Sequence, residues 1–230
     1  MKARPYPASL LAAVLLLAAS GAGAAPGGEA AKTFHFGSAE SRTTVQFESE
    51  TSLEVIHGIT RQIAGSATFD FEKGEGSTEL SVPVKSLTTG LPARDGHLRS
   101  DGWLDAEKFP DILFKAKALK RVKTDEASKK ETWSYEGELT IHGVTKPLKG
   151  EATVQRVPEE FAKNLGPGSW VKVKTAFPVT LKDFDISVPE MSAAKVAPTW
   201  DVRVDIFGTT EPPAKDEKKD EKKDDEKGSK

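Results

Sequence analysis

The chain repeats one short sequence pattern, and this repeat limits the folds that it can adopt. Residues 56–69 read IHGITRQIAGSATF, and residues 141–154 read IHGVTKPLKGEATV. Seven positions are identical in the two copies, and most of the others are conservative exchanges. An internal repeat of this kind predicts an architecture built from equivalent units. We therefore expect one structure made of two pseudo-repeated halves.

Apolar and polar residues alternate around each copy, as they do in a strand with one buried face. A glycine that interrupts such alternation predicts a β-hairpin. We therefore expect Gly58 and Gly143 in matching turns, with His57 and His142 beside them. Similar strands along the rest of the chain give four per half and about eight in all. An antiparallel set of that size is all-β and favours a closed barrel or a sandwich.

The first residues have the pattern of a secretory signal peptide at 1–24. A basic start is followed by an apolar core too short to span a bilayer and by Ala-Gly-Ala at 22–24. Residues 25–32 are expected to be a flexible mature N-terminus. The rest of the chain contains no transmembrane candidate, so we expect a soluble protein that is periplasmic or secreted.

The chain contains no cysteine, so the exported domain, expected at 33–208, must be stabilised by its core rather than by disulfides. Residues 209–230 are rich in lysine, aspartate and glutamate and predict a disordered charged tail. The tail has two open interpretations: it keeps the protein in solution, or it binds an envelope partner. A formal net charge of −2 gives no support to nucleic-acid binding.

A segment at 90–110 separates the third and fourth strands of the first half. Its apolar residues have irregular helical spacing, and Pro110 ends it. We expect this segment to lie across one end of the barrel as a short helical lid.

Two motifs resemble one known family. The run RDGHLRSDGWLDAEKFPDILF at 94–114 and the run GELTIHGVTKP at 137–147 are similar to those of the YceI-like family of exported polyisoprenoid-binding proteins. The resemblance covers 33–208 and implies an eight-stranded, lipocalin-like antiparallel barrel. It also implies that an apolar interior holds a long isoprenoid chain, such as a quinone tail or a polyprenyl phosphate.

Alternation along the strands predicts which side chains face the interior. The expected lining is Phe69, Phe71, Leu80, Val82, Val84, Phe114, Trp133, Tyr135, Leu139, Ile141, Phe177, Trp200 and Val202. Several strand residues are small, which is expected to leave volume for a ligand: Gly65, Ala67, Ala116, Ala118, Gly137, Gly150, Ala152 and Ala176. An ordinary filled core remains the alternative, because buried apolar residues usually only pack.

The lid carries a polar cluster whose role is open. Its residues are Arg94, Asp95, His97, Arg99 and Trp103. Either the charges pin the lid, or Arg94 or Arg99 contacts a ligand head group, for which a phosphate is well suited. Residues 187–197 are small and alanine-rich, where we expect the entrance.

Other chemistry has little support in the sequence. The histidines do not have the spacing of metal ligands, and no catalytic motif is present, so we expect no metal, no cofactor and no enzyme activity. We expect an isoprenoid-binding protein, as a monomer or homodimer, with a bound lipid. The alternative is a filled barrel that serves as an envelope interaction or stress protein.

Overall fold

A computed structural model describes residues 30–38 and 42–213. The predicted signal peptide, residues 25–29 of the predicted flexible segment and residues 214–230 of the predicted tail lie outside the described residues. The alternating segments form strands as predicted. They are β1 (Lys32–Phe36), β2 (Thr44–Glu50), β3 (Val55–Thr60), β4 (Ala64–Asp70), β5 (Glu75–Pro83), β6 (Asp111–Asp125), β7 (Lys130–Ile141), β8 (Val144–Arg156), β9 (Trp170–Thr180) and β10 (Thr199–Thr209).

Few helices accompany the strands. The helices are α1 (Pro92–Arg99) and the single turn α2 (Glu159–Ala162), and three 3₁₀ turns cover Val84–Ser86, Leu181–Phe184 and Glu190–Ser192. Pro92 opens α1, where its missing N–H costs nothing. The insert at 158–168 holds α2 and packs Ala162 on Trp170 in a small satellite cluster. The molecule is therefore all-β, as predicted.

The strands close into an antiparallel barrel. Eight of them form a ring in the order β1-β4-β5-β6-β7-β8-β9-β10, which closes through His35↔Thr209 and Phe36↔Gly208. β2 and β3 extend the wall, because β2 pairs with the first half of β10 from Asp201↔Glu48 to Asp205↔Thr44. A bridge between Ile59 and Thr88 joins β3 to the segment that follows β5. The predicted eight-stranded barrel is confirmed, with two additional strands.

The two ends of the barrel differ. At the lid end lie the turns around 51–54 and 142–143 and the longer segments 84–110 and 181–198. At the closed end lie the turns at 71–74 and 126–129, together with the start of β1 and the end of β10. Each end has its own apolar cluster, and both clusters contact Ile112, Phe114 and Leu148 in the middle.

One seam in the wall is incompletely paired. β8 and β9 pair only from Ala152↔Thr175 to Arg156↔Val171, so in the described structure residues 144–151 and 176–180 form no ladder with each other. Pro147 and Pro178 lie in these two stretches, and a proline cannot donate to a ladder. The Oγ1 of Thr175 donates to the Glu151 carbonyl at 2.8 Å, where the ladder ends. We call these two stretches the β8–β9 seam.

The repeat is used differently in its two copies. Gly143 follows His142 in the β7–β8 turn, as expected, and both residues have positive φ. The prediction for the first copy was wrong, because His57 and Gly58 lie inside β3 and the turn precedes them at 51–54. Gly58 is required as a glycine for another reason, because the ring of Phe47 occupies the space that a side chain at position 58 would need.

Candidate functional site

The barrel encloses an elongated apolar cavity. Its volume is about 180 Å³. Apolar side chains from nine of the ten strands, all except β3, and from the lid make up nearly all of the lining, and the polar side chains in it are Gln46, Thr78, Tyr135 and Thr175. Such a surface binds apolar groups by removing them from water, at about 0.8 kcal/mol for each buried methylene.

Aromatic and ionic groups fill the closed end. The rings of Phe69 and Phe71 pack edge-on against Trp133, at centroid distances of 5.1 and 5.9 Å. The indole N–H of Trp133 donates to the buried carboxylate of Glu131 at 2.9 Å. Arg121 lies 3.7 Å from the same carboxylate and donates to the Phe71 carbonyl. The cavity therefore ends at a packed and charge-paired base.

A hydrogen bond between Tyr135 and Thr175 lies in the middle of the cavity wall. The Tyr135 hydroxyl lies 3.2 Å from the Oγ1 of Thr175, which donates in turn to the Glu151 carbonyl. Burial raises the pKa of Tyr135, and the hydrogen bond with Thr175 only partly offsets this. The hydroxyl therefore stays neutral and satisfied, so the wall presents no charge to a ligand.

The lid covers the opposite end. Leu98 of α1 and Leu104 and Ala106 from the turn after it are buried against the barrel. Beside them, the rings of Phe47 and Trp200 stack at 4.3 Å with an interplanar angle of 12°. Both rings line the inner cavity and also a second pocket outside it. The stacked pair therefore forms the boundary between the cavity and the mouth.

Asp95 fixes α1 to the barrel. Its carboxylate accepts hydrogen bonds from the Thr88 hydroxyl at 2.5 Å and from the Thr89 amide and hydroxyl at 2.6 Å each. Burial alone would raise the pKa of Asp95, but these hydrogen bonds and the charge of Arg99 outweigh it and hold the pKa below its usual range. The ionised carboxylate of Asp95 therefore holds the lid against the barrel.

The outer pocket is a groove between α1 and the segment at 190–196, with a volume of about 540 Å³ on the same measure. We call it the mouth groove. Arg94 crosses it, donating to the Glu54 carboxylate at 2.7 Å and to the Thr89 hydroxyl at 2.9 Å. His97 and Lys195 are exposed on its lining. The groove is thus more polar than the cavity that it adjoins.

The predicted site residues fall into three groups. Eleven of the thirteen predicted interior residues line the cavity, whereas Phe71 and Val84 are buried beyond it. Arg94, His97 and Trp103 line the mouth groove. Asp95 and Arg99 do not line it, because Asp95 bonds to Thr88 and Thr89 and Arg99 donates to the Leu87 carbonyl at 2.6 Å. The alanine-rich segment at 187–197 forms one side of the groove.

Sequence reasoning missed part of the lining and gave a wrong reason for the cavity. Alternation also marks Leu148, Ala152 and Val154 on β8, whereas Leu104 comes from the lid and leaves no periodic signal. Gly65, Ala118 and Ala176 are exposed. A side chain added at Gly137 would meet Phe114, and one at Gly150 would meet Tyr135. Only Ala67 and Ala152 of the small residues border the cavity.

The histidines have separate structural neighbours. His142 packs edge-on against Phe109 at 4.8 Å, and its Nδ1 lies 3.2 Å from the Phe184 carbonyl. His57 lies 3.4 Å from the Glu48 carboxylate. Among residues 30–38 and 42–213, no three His, Asp or Glu side chains form a group suited to a metal ion. No helix in this part of the chain has the length and apolar character needed to cross a membrane.

Comparison with known proteins identifies the family. The sequence profile of the YceI-like domain matches residues 37–207. The chain belongs to the YceI-like family. A UPF0312 protein of Pseudomonas putida (strain W619) is 30% identical to this YceI-like chain over 162 residues, which cover 68% of this chain and 74% of that protein.

Solved structures share the fold of this YceI-like barrel. BcnA of Burkholderia cenocepacia superposes with a TM-score of 0.58 at 18% identity, over 74% of this chain and 98% of that one. A polyisoprenoid binding domain from Saccharophagus degradans gives 0.59 at 15% identity, over 78% and 99%. At such identities the likeness establishes the barrel fold alone.

Proposed function

We propose that this YceI-like protein is exported and binds a long isoprenoid chain in its barrel, without covalent chemistry. The observation that carries the proposal is the elongated cavity with a nearly continuous apolar lining from Trp133 to Trp200. A flexible hydrocarbon chain would bury its methylenes against such a lining. The polyisoprenoid binding domain of Saccharophagus degradans has the same fold, which supports this choice of ligand.

The proposal is tested by native mass spectrometry of protein purified without detergent, followed by organic extraction. We expect a discrete added mass and an extracted lipid with a repeating isoprene unit. A clean apoprotein that also fails to bind fluorescent polyene chains would contradict the proposal and favour the filled-barrel interaction protein.

A matched pair of variants tests whether the cavity is the binding site. Ala152 lines the cavity, whereas Ala176 is exposed on the neighbouring strand β9. Ala152→Phe should fill the cavity and reduce polyene binding at least about tenfold, since it displaces several methylenes. Ala176→Phe should leave binding unchanged. Equal affinity of the two variants would place the ligand elsewhere.

A further inference from the structure

We propose that the indole N–H of Trp200 donates a hydrogen bond to an uncharged oxygen at the head of the bound chain. This inference rests on the proposed function, because it requires an isoprenoid tail in the cavity. It adds a hydrogen bond at the boundary of that cavity. This hydrogen bond favours isoprenoid ligands that carry an oxygen at the head of the chain.

Trp200 carries a donor that the protein leaves unused. Its side chain is buried, with the residue 7% exposed, and its Nε1 has no hydrogen-bond partner within the described structure. The indoles of Trp133 and Trp170 are satisfied, by Glu131 at 2.9 Å and by the Gly166 carbonyl at 3.1 Å. Leaving a buried donor unsatisfied is unfavourable, so a ligand oxygen that accepts from this N–H is stabilised by removing that penalty.

Trp200 lies where the head of a ligand must pass. Its ring stacks on Phe47, and both rings line the apolar cavity and the mouth groove. A ligand with its tail in the cavity and its head in the groove therefore has its first polar atoms beside this pair. The closed end offers no equivalent position, because the indole of Trp133 already donates to Glu131.

The surroundings favour an uncharged oxygen. Trp200 packs in a cluster of apolar residues, where a charged group without a partner would lose its hydration and gain nothing in exchange. Of the two lid arginines, Arg94 is already paired with the Glu54 carboxylate, and Arg99 does not line the mouth groove. A carbonyl oxygen, as in a quinone-type ring, accepts from an indole N–H without this penalty.

The test compares two ligands that differ only in their oxygens: a prenylquinone and a prenylbenzene with the same isoprenoid tail. Affinities are measured by displacement of a fluorescent polyene from the wild type and from Trp200→Phe. We expect the substitution to weaken the prenylquinone about three- to tenfold, the range of one neutral hydrogen bond. The prenylbenzene should bind the variant as it binds the wild type.

Trp170→Phe is the matched control, because Trp170 is buried outside the cavity at the closed end, and it should change neither affinity. An equal loss of both ligands in Trp200→Phe would overturn the inference, because Trp200 would then act only by packing. Unchanged affinity for both would overturn it as well. Failure of the wild type to bind either ligand would instead contradict the proposed function itself. A prenyl phosphate that binds the wild type more tightly than the prenylquinone would also overturn the inference, because the preferred head group would then be charged.

Discussion

Phe47 owes its position to a glycine on the adjacent strand. Phe47 and Gly58 are register partners on β2 and β3, and a Cβ at Gly58 would lie 2.0 Å from the Phe47 ring. The ring therefore lies over Gly58, in stacking contact with Trp200. One glycine thus sets the geometry of the boundary between cavity and mouth groove.

Replacing this glycine should disturb the boundary. Gly58→Ala is expected to push Phe47 off Trp200 and to lower the free energy of unfolding by about 1–3 kcal/mol, the usual cost of overpacking. Urea denaturation measures the change. Gly96 in α1 has no heavy atom within 4 Å of its would-be Cβ, so Gly96→Ala is the control and should stabilise the protein by up to about 1 kcal/mol. Equal stability of Gly58→Ala and the wild type would show that Phe47 has room to move.

The sequence predicts the type of most residues in the site but not their pairing. Trp200 was expected inside from alternation alone, and it lies there. Its stacking on Phe47 depends on a register between β2, β3 and β10 that local pattern does not encode. The same holds for Gly58, because its sequence context matches that of Gly143 while its role is different.

At the scale of elements, the lid is held by polar contacts at one side and apolar contacts at the other. Leu98 faces the barrel core, and Asp95, one turn earlier, bonds to the segment at 88–89. Arg94 adds a tie to Glu54 in the β2–β3 turn. α1 is only two turns long, so these contacts, rather than helix propensity, must maintain it.

Asp95→Asn should therefore destabilise the lid in a pH-dependent way. Loss of hydrogen bonds to a carboxylate is expected to cost about 1–3 kcal/mol at pH 7. Because the folded-state pKa of Asp95 is lowered, its contribution is complete above its unfolded pKa of about 4 and is lost as the pH falls through the folded value. The difference between variant and wild type in urea denaturation should narrow below about pH 4.

Asp101→Asn is the control for this experiment, because Asp101 is exposed on the same lid segment. It should match the wild type throughout the pH range. A penalty for Asp95→Asn that stays constant down to pH 2 would contradict an ionised carboxylate as the source of the stabilisation.

The lid as an element was predictable, and its attachment was not. Irregular apolar spacing and Pro110 indicated a short helical segment between strands, and α1 confirms it. The partners of Asp95 are threonines, which carry no charge pattern, so the sequence could not distinguish pinning of the lid from contact with a head group.

At the scale of the whole molecule, the barrel wall is uneven. β9 and β10 pair along their full length, from Thr199↔Thr180 to Thr209↔Trp170. β8 and β9 pair over only five residues, and the seam beside them lies in the lid half of the barrel. The number of strands in the ring was predictable from the repeat, but the seam depends on two prolines brought together by the fold.

Hydrogen exchange should reveal this unevenness. Amides that point across the β8–β9 seam, in 148–151 and 176–177, are expected to exchange at least about tenfold faster than those at 152–156 of the same strand β8, because they lack a ladder partner. Mass spectrometry with peptide-level resolution measures the rates. Uniform protection along β8 would show that the two strands pair in solution.

The positions of β1 and β10 indicate where a label can be attached without covering the mouth groove. β1 begins at Lys32 opposite Phe69, and β10 ends at Thr209 opposite Trp170, so the first strand starts and the last strand ends at the closed base. A label attached at Ala31 or Pro213, which are exposed next to these strand ends, therefore lies on the side away from the lid. The mouth groove stays open to the medium, so attachment at these positions and ligand exchange use opposite faces of the barrel.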